Sequence, residues 1–168
     1  SKPEDEIETW LHLVEIHHEL GQEEKEAYYL AKIKSHPDFL SQVEYQYQWN
    51  RRVGQKYYFL RDYQQAQKFL QLGLSIAEQE NNRILLSKSL NDVGLTAYKL
   101  NRYTPALNYF KQSLALKLSH GDAYQVGKTL NNIALVHVGL EEMVLAIDYY
   151  EQALNQYLNY TQQENFDE

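Results

Sequence analysis

The sequence predicts an all-α chain, a stack of about four repeated two-helix units, and three observations carry this. Shifted by forty residues, 83–120 falls on 123–160, with identities at Lys88/Lys128, Leu90/Leu130, Asn91/Asn131, Leu95/Leu135, Leu100/Leu140, Ala106/Ala146 and Leu114/Leu154. A second shift aligns Val53/Val93, Gly54/Gly94, Tyr58/Tyr98, Tyr63/Tyr103, Ala66/Ala106 and Leu74/Leu114. Within a unit the apolar residues are spaced by 3 and 4, the period of one helix face. Small residues recur at two slots, Gly54/Gly94/Ala134 on the first helix of a unit and Ala66/Ala106/Ala146 on the second. A strict period of this length means a stacked array in which no unit buries its apolar face alone.

The first unit, about 4–37, is a divergent copy. Leu11, Val14 and His18 share a face, and Leu20-Gly21 matches Leu140 and the turn after it. Helices are expected over about 4–20 and 22–35, with Ala27 in the small slot after a one-residue slip. Pro37-Asp38 is expected to start the next helix and the second unit, about 38–80. In the third unit, about 81–120, Leu86, Leu90, Val93, Ala97 and Leu100 line one helix and Asn81 and Asn82 cap its start. Asn101-Arg102-Tyr103 makes a turn. Ala106, Leu107, Phe110, Leu114 and Leu118 then form a second stripe, with Pro105 in the first turn, where its missing N–H costs little. His120-Gly121-Asp122 closes that helix and starts the next, Gly as the left-handed residue and Asp as the cap. The fourth unit runs over about 121–160, and 161–168 is a polar tail.

The slots read Gly54, Tyr57, Ala66, Leu70, Gly73, then Gly94, Ala97, Ala106, Phe110, Ser113, then Ala134, His137, Ala146, Tyr150, Ala153. This constellation resembles the tetratricopeptide repeat: a small residue, an aromatic, Ala, an aromatic and a small residue at fixed offsets. The chain departs from that pattern at the Trp slot, which holds Asn50, Leu90 and Leu130, in lacking the closing Pro, and in a period of forty. The longer period is similar to the long-repeat subclass of kinesin light chains and bacterial signalling proteins, including peptide-sensing regulators. The resemblance implies a right-handed α-solenoid forming a single domain over 1–160, with the first helix of each unit on the concave side.

Net charge is −7, yet it is segregated: residues 1–40 sum to −6, 41–140 to +6 and 141–168 to −7. The acidic total argues against nonspecific nucleic-acid binding. The basic middle carries the groove slots that the resemblance places on the concave side: Arg51, Gln55, Tyr58; Lys88, Asn91, Leu95, Tyr98; Lys128, Asn131, Leu135. An Asn side chain offers an acceptor and two donors, which matches an extended peptide backbone. In the peptide-binding repeats that this chain resembles, Asn at this slot clamps the ligand main chain. Arg51, Lys88 and Lys128 add donors for a carboxylate, so the expected ligand is an extended, anionic peptide segment. The bland alternative is that Asn91 and Asn131 hydrogen-bond between adjacent helices.

Catalytic patterns are absent. There is no Cys, hence no disulfide, thiolate metal site or Cys nucleophile. No phosphate-binding Gly loop, nucleophile elbow or HExxH occurs. Glu8, His12 and Glu15 share a helical face and are the best metal candidate, though such sets are common on surface helices, and neither a metal nor a cofactor is expected. His137 reads as packing. No long apolar run predicts membrane insertion, and no secretory leader pattern is seen, so a cytoplasmic setting is expected, with an extracytoplasmic receptor region as the alternative. The last helix carries Tyr150, Leu154 and Tyr157, more apolar surface than an exposed face tolerates, and no polar capping helix follows. Either the natural chain continues or this face pairs with a second copy. The leading expectation is a non-catalytic protein- or peptide-binding scaffold, the sensory or interaction region of a larger signalling protein. The alternative is a structural self-association segment.

Overall fold

The computed structural model describes residues 3–119 and 122–164, with side chains over 6–119 and 122–161. Every regular element among the described residues is helical. They are α1 (Pro3–Glu19), α2 (Glu23–Ser35), a short 3-10 turn (Pro37–Phe39), α3 (Val43–Phe59), α4 (Tyr63–Gln79), α5 (Arg83–Lys99), α6 (Tyr103–Leu118), α7 (Ala123–Gly139) and α8 (Met143–Glu164). The fold is an all-α solenoid of helix pairs, as the period predicts. The chain divides into two compact units, 1–80 and 81–168.

In the first unit Ile7, Val14, Leu30, Ile33, Phe39, Tyr45 and Val53 form the core. Trp49 closes over it and donates its indole N–H to the Leu30 carbonyl at 2.9 Å. Two sequence expectations fail here. Pro37-Asp38 opens only the 3-10 turn, and α3 begins at Val43. The His36 ring accepts from the Asp38 N–H, and Ser41 and Gln42 then donate back to the Asp38 carbonyl, so the chain turns before it can propagate a helix. Ala27 is exposed, and there is no slip: Glu26, in register with Ala66 and Ala106, fills the small slot at 3% exposure. A carboxylate is tolerated there because His18 and Lys56 approach it at 3.5 and 3.8 Å.

In the second unit Ala97, Ala106, Phe110, Ile133 and Val136 form one cluster, and Val126, Leu130 and Ala153 another. The small slots work by close approach. A Cβ on Gly94 would lie 2.7 Å from the Phe110 ring; outside those slots, one on Gly127 would lie 2.8 Å from the Tyr157 ring. In the first unit a Cβ on Gly54 would meet Leu70 at 2.5 Å. The large slot, Leu70/Phe110, thus packs onto the glycine of its own pair.

Asn82 accepts from the Ile84 and Leu85 N–H groups, and Asp122 from that of Gln125, as predicted, whereas Asn81 takes a positive φ of 49° in the turn and is not the cap. Gly121 lies outside the described residues. The turns inside the pairs are built alike: Gly21, Arg61, Asn101 and Glu141 all take positive φ, between 57° and 65°. The following N–H then reaches back to the helix, as in Asp62 to Tyr57 O at 3.0 Å and Glu142 to His137 O at 2.9 Å. Only Gly21 adopts this backbone without a side-chain penalty.

Candidate binding face

The expected groove residues fall on α3, α5 and α7. On α3, Arg51, Gln55 and Tyr58 are half-buried, and each is already engaged in contacts within the chain. Tyr58 packs its ring edge-on against Tyr63 at 5.5 Å. On α5 and α7, Lys88 and Lys128 are exposed, whereas Asn91, Leu95, Tyr98, Asn131 and Leu135 are half-buried. Leu95 and Tyr98 lean on the Phe110 cluster. The Lys128 ammonium lies 5.6 Å from the Tyr124 ring centroid.

The two central Asn residues are not equivalent. Asn132 donates its side-chain N–H to the Asn91 carbonyl oxygen at 3.0 Å, tying α7 to α5. Asn131 makes no side-chain hydrogen bond with any described residue. On α7 the contact to the preceding first helix therefore comes from position 132, one residue past the expected slot. In the first unit the same slot supplies Arg52, which pairs with Glu15 of α1 at 3.0 Å. Repetition marks 51/91/131, where Asn91 and Asn131 are identical, rather than 52/92/132, which reads Arg52, Asp92 and Asn132, so the repeat alone does not reveal which slot reaches across.

Glu8, His12, Glu15, Glu44, Gln48 and Arg52 line a cavity of about 320 Å³ in the first unit. The metal candidate thus shares one wall, but Glu15 is committed to Arg52, and no metal-holding group of three His, Cys, Asp or Glu occurs among the described residues. His137 is buried, bonds Glu142 through Nδ1 at 2.6 Å and stacks on Tyr149 at 5.2 Å.

The second unit holds a residue that sequence reasoning missed. Lys117 is 6% exposed, donates from Nζ to Thr129 Oγ1 at 2.8 Å, and lines a cavity of about 310 Å³ with Ile84, Ser87, Lys88, Asp122 and Gln125. Burial is the main reason that its pKa falls from 10.5 to about 8; Lys128 and Lys88 add to the fall, and Asp92 and Asp122 oppose it. The missed signal was the register: position 117 matches Ala77, which is fully buried, and Tyr157, which packs inward.

On α8 the self-association residues separate. Leu154 is 56% exposed, Tyr150 is half-buried, and Tyr157 turns onto Gly127 and Tyr124 of α7, so it does not belong to an open face. Burial, and then Tyr124, raise the Tyr157 pKa. Ile147 and Leu158, exposed at 58% and 50%, extend the open stripe instead. No helix among the described residues is long and apolar enough to cross a membrane.

Residues 46–119 match the sequence model of the tetratricopeptide repeat family. These are tetratricopeptide repeats. No curated protein matches the chain. Among solved structures, aspartyl phosphate phosphatase F from Bacillus subtilis superposes with a TM-score of 0.82 at 19% identity, over 96% of this chain and 42% of that one. A STAND signal-transduction ATPase with a tetratricopeptide repeat sensor, from Pyrococcus horikoshii, gives 0.82 at 19%, over 96% and 26%. MamA gives 0.68 at 15%, over 93% and 81%. At these identities the likeness establishes the tetratricopeptide fold alone. The chain spans less than half the length of the first and about a quarter of the second.

Proposed function

We propose that this chain is a non-catalytic recognition module that binds an extended peptide segment, as the sensory or interaction region of a larger regulatory protein. One observation carries the reading. The adjacent helices α5 and α7 present the same set side by side: an exposed Lys (88 and 128), an Asn (91 and 131) and a half-buried Leu (95 and 135). Such a face offers side-chain amides for a peptide main chain, Asn131 in full and Asn91 through its N–H groups, together with apolar contact and cations for an anionic ligand. By register, Arg51, Gln55 and Tyr58 hold the equivalent positions on α3. The similarity to a phosphatase and to a STAND sensor supports a regulatory setting.

The test is retention from an extract of the source organism on the wild type and on an Arg51→Glu/Asn91→Ala/Asn131→Ala variant. Peptides synthesised from whatever is retained are then titrated against both. A peptide bound by the wild type and lost in the variant is the expected result. Equal binding by both refutes the groove.

A second reading rests on α8. In the preceding pair the register equivalents of Tyr150 and Leu154 are Phe110, 1% exposed, and Leu114, half-buried. Both pack against α7 residues: Phe110 in the cluster with Ile133 and Val136, Leu114 against Val126 and Leu130. A second copy seated on the α8 stripe would cover it in the same way. Sedimentation that shows a monomer at every concentration sinks this reading.

A further inference from the structure

The second unit contains a buried cation, Lys117, that forms no ion pair among the described residues. In the repeats, positions 87 and 117 face each other with complementary sizes. Their equivalents in the last pair are Gly127 and Tyr157, where the ring fills the space left by the glycine. In the preceding pair the same positions hold Ser87 and Lys117, and a cavity of about 310 Å³ opens beside them. An ammonium has three N–H donors. Lys117 spends one on Thr129 Oγ1, and that hydroxyl in turn donates to the Gln125 carbonyl at 3.0 Å. No carboxylate among the described residues forms an ion pair with Lys117.

A lysine kept in a core slot for structure alone is normally paired. The charged groups facing this one are Lys88 and Asp92 from α5 and Asp122 and Lys128 from α7. Asp122 is spent as the cap of α7, accepting the Gln125 N–H, and Asp92 has contacts of its own. The cavity wall itself carries Lys88 and Lys117 against the single carboxylate of Asp122, a net positive charge. Its remaining donors point to a compact acceptor carrying negative charge.

We propose that this cavity is an oxyanion site, with Lys117 as its deep donor and Lys88 at its rim, taking a phosphate or carboxylate group. It is separate from the Asn-lined face, shares only Lys88 with it, and does not require a peptide.

The test is an amide NMR titration of the full chain at constant ionic strength with inorganic phosphate, sulfate and acetate, at pH 7 and 9. Saturable shifts at Ser87, Gln125 and Thr129 are expected. Sulfate and acetate keep their charge between these pH values, so any loss of affinity reports the protein. With Lys117 titrating at about 8, its charged fraction falls about tenfold across this interval, and affinity falls with it. Lys117→Met abolishes the shifts with its fold intact by circular dichroism, and Lys88→Ala weakens them. A preference for sulfate and phosphate assigns the site to phosphoryl groups, and one for acetate to carboxylates. The absence of any saturable shift, an unchanged titration of Lys117→Met, or equal sulfate affinity at the two pH values overturns the proposal. Because the probes are small ions, equal peptide binding by the wild type and the triple variant with the anion shifts intact refutes only the peptide groove.

Discussion

Lys117→Met should make the protein more stable, and by an amount that depends on pH. The folded chain holds this ammonium at a pKa of about 8, against 10.5 for the free side chain. At about 1.4 kcal/mol per tenfold, keeping it charged at pH 7 costs about 3 kcal/mol. The sign follows from proton counting. Between about 8 and 10.5 the unfolded chain holds a proton that the folded chain has released, so wild-type stability rises with pH there. At pH 9.5 about 1.5 kcal/mol of the penalty remains on the same linkage. Methionine is of similar length and fills the slot without charge, while the lost bond to Thr129 gives back about 1 kcal/mol. The net gain is about 2 kcal/mol at pH 7 and well under about 1 kcal/mol at pH 9.5. Urea unfolding in chloride buffer free of oxyanions reads this as a midpoint about 1 M higher at pH 7. A lower midpoint for the variant, or an equal gain at both pH values, would refute the reasoning that burial without an anion is what strains this residue.

Gly94→Ala forces a Cβ to 2.7 Å from the Phe110 ring and should cost about 1–3 kcal/mol, visible as a lower thermal midpoint. Glu141→Gly relieves a φ of 62° and should add about 0.5–1 kcal/mol, with no change in the far-ultraviolet spectrum. Asn91→Ala strips Asn132 of its acceptor and should lower stability by about 1 kcal/mol, whereas Asn131→Ala should leave denaturation unchanged. If the two Asn variants unfold alike, the division of roles between them is wrong.

Much of the fold was legible because it is local and periodic. Helix faces follow from spacings of 3 and 4. Asn82 and Asp122 cap through side chains that act within a turn of themselves. Glycine and alanine at fixed slots announce close helix contact, and Gly94 under Phe110 is that contact. The candidate face was legible only as a set of positions. Repetition marks Asn91 and Asn131 as equals, yet one is spent on a neighbouring helix and the other is not.

What the sequence by itself determined is the unit: its length, its two helices, their buried stripes and their caps. These depend on residues within one repeat, and three copies state them in agreement. What only the tertiary structure decided is how neighbouring units use their differences. Glu26 in place of alanine is bearable because Lys56 and His18 come within 3.8 Å from other helices. Tyr157 turns inward because Gly127 leaves room for its ring. Lys117 is buried because its partner across the pair is the small Ser87, and the space that this leaves becomes a cavity. Each outcome is set by the separation between helices and by the sizes that meet across it. A period specifies a face; the opposing side chain specifies what that face does.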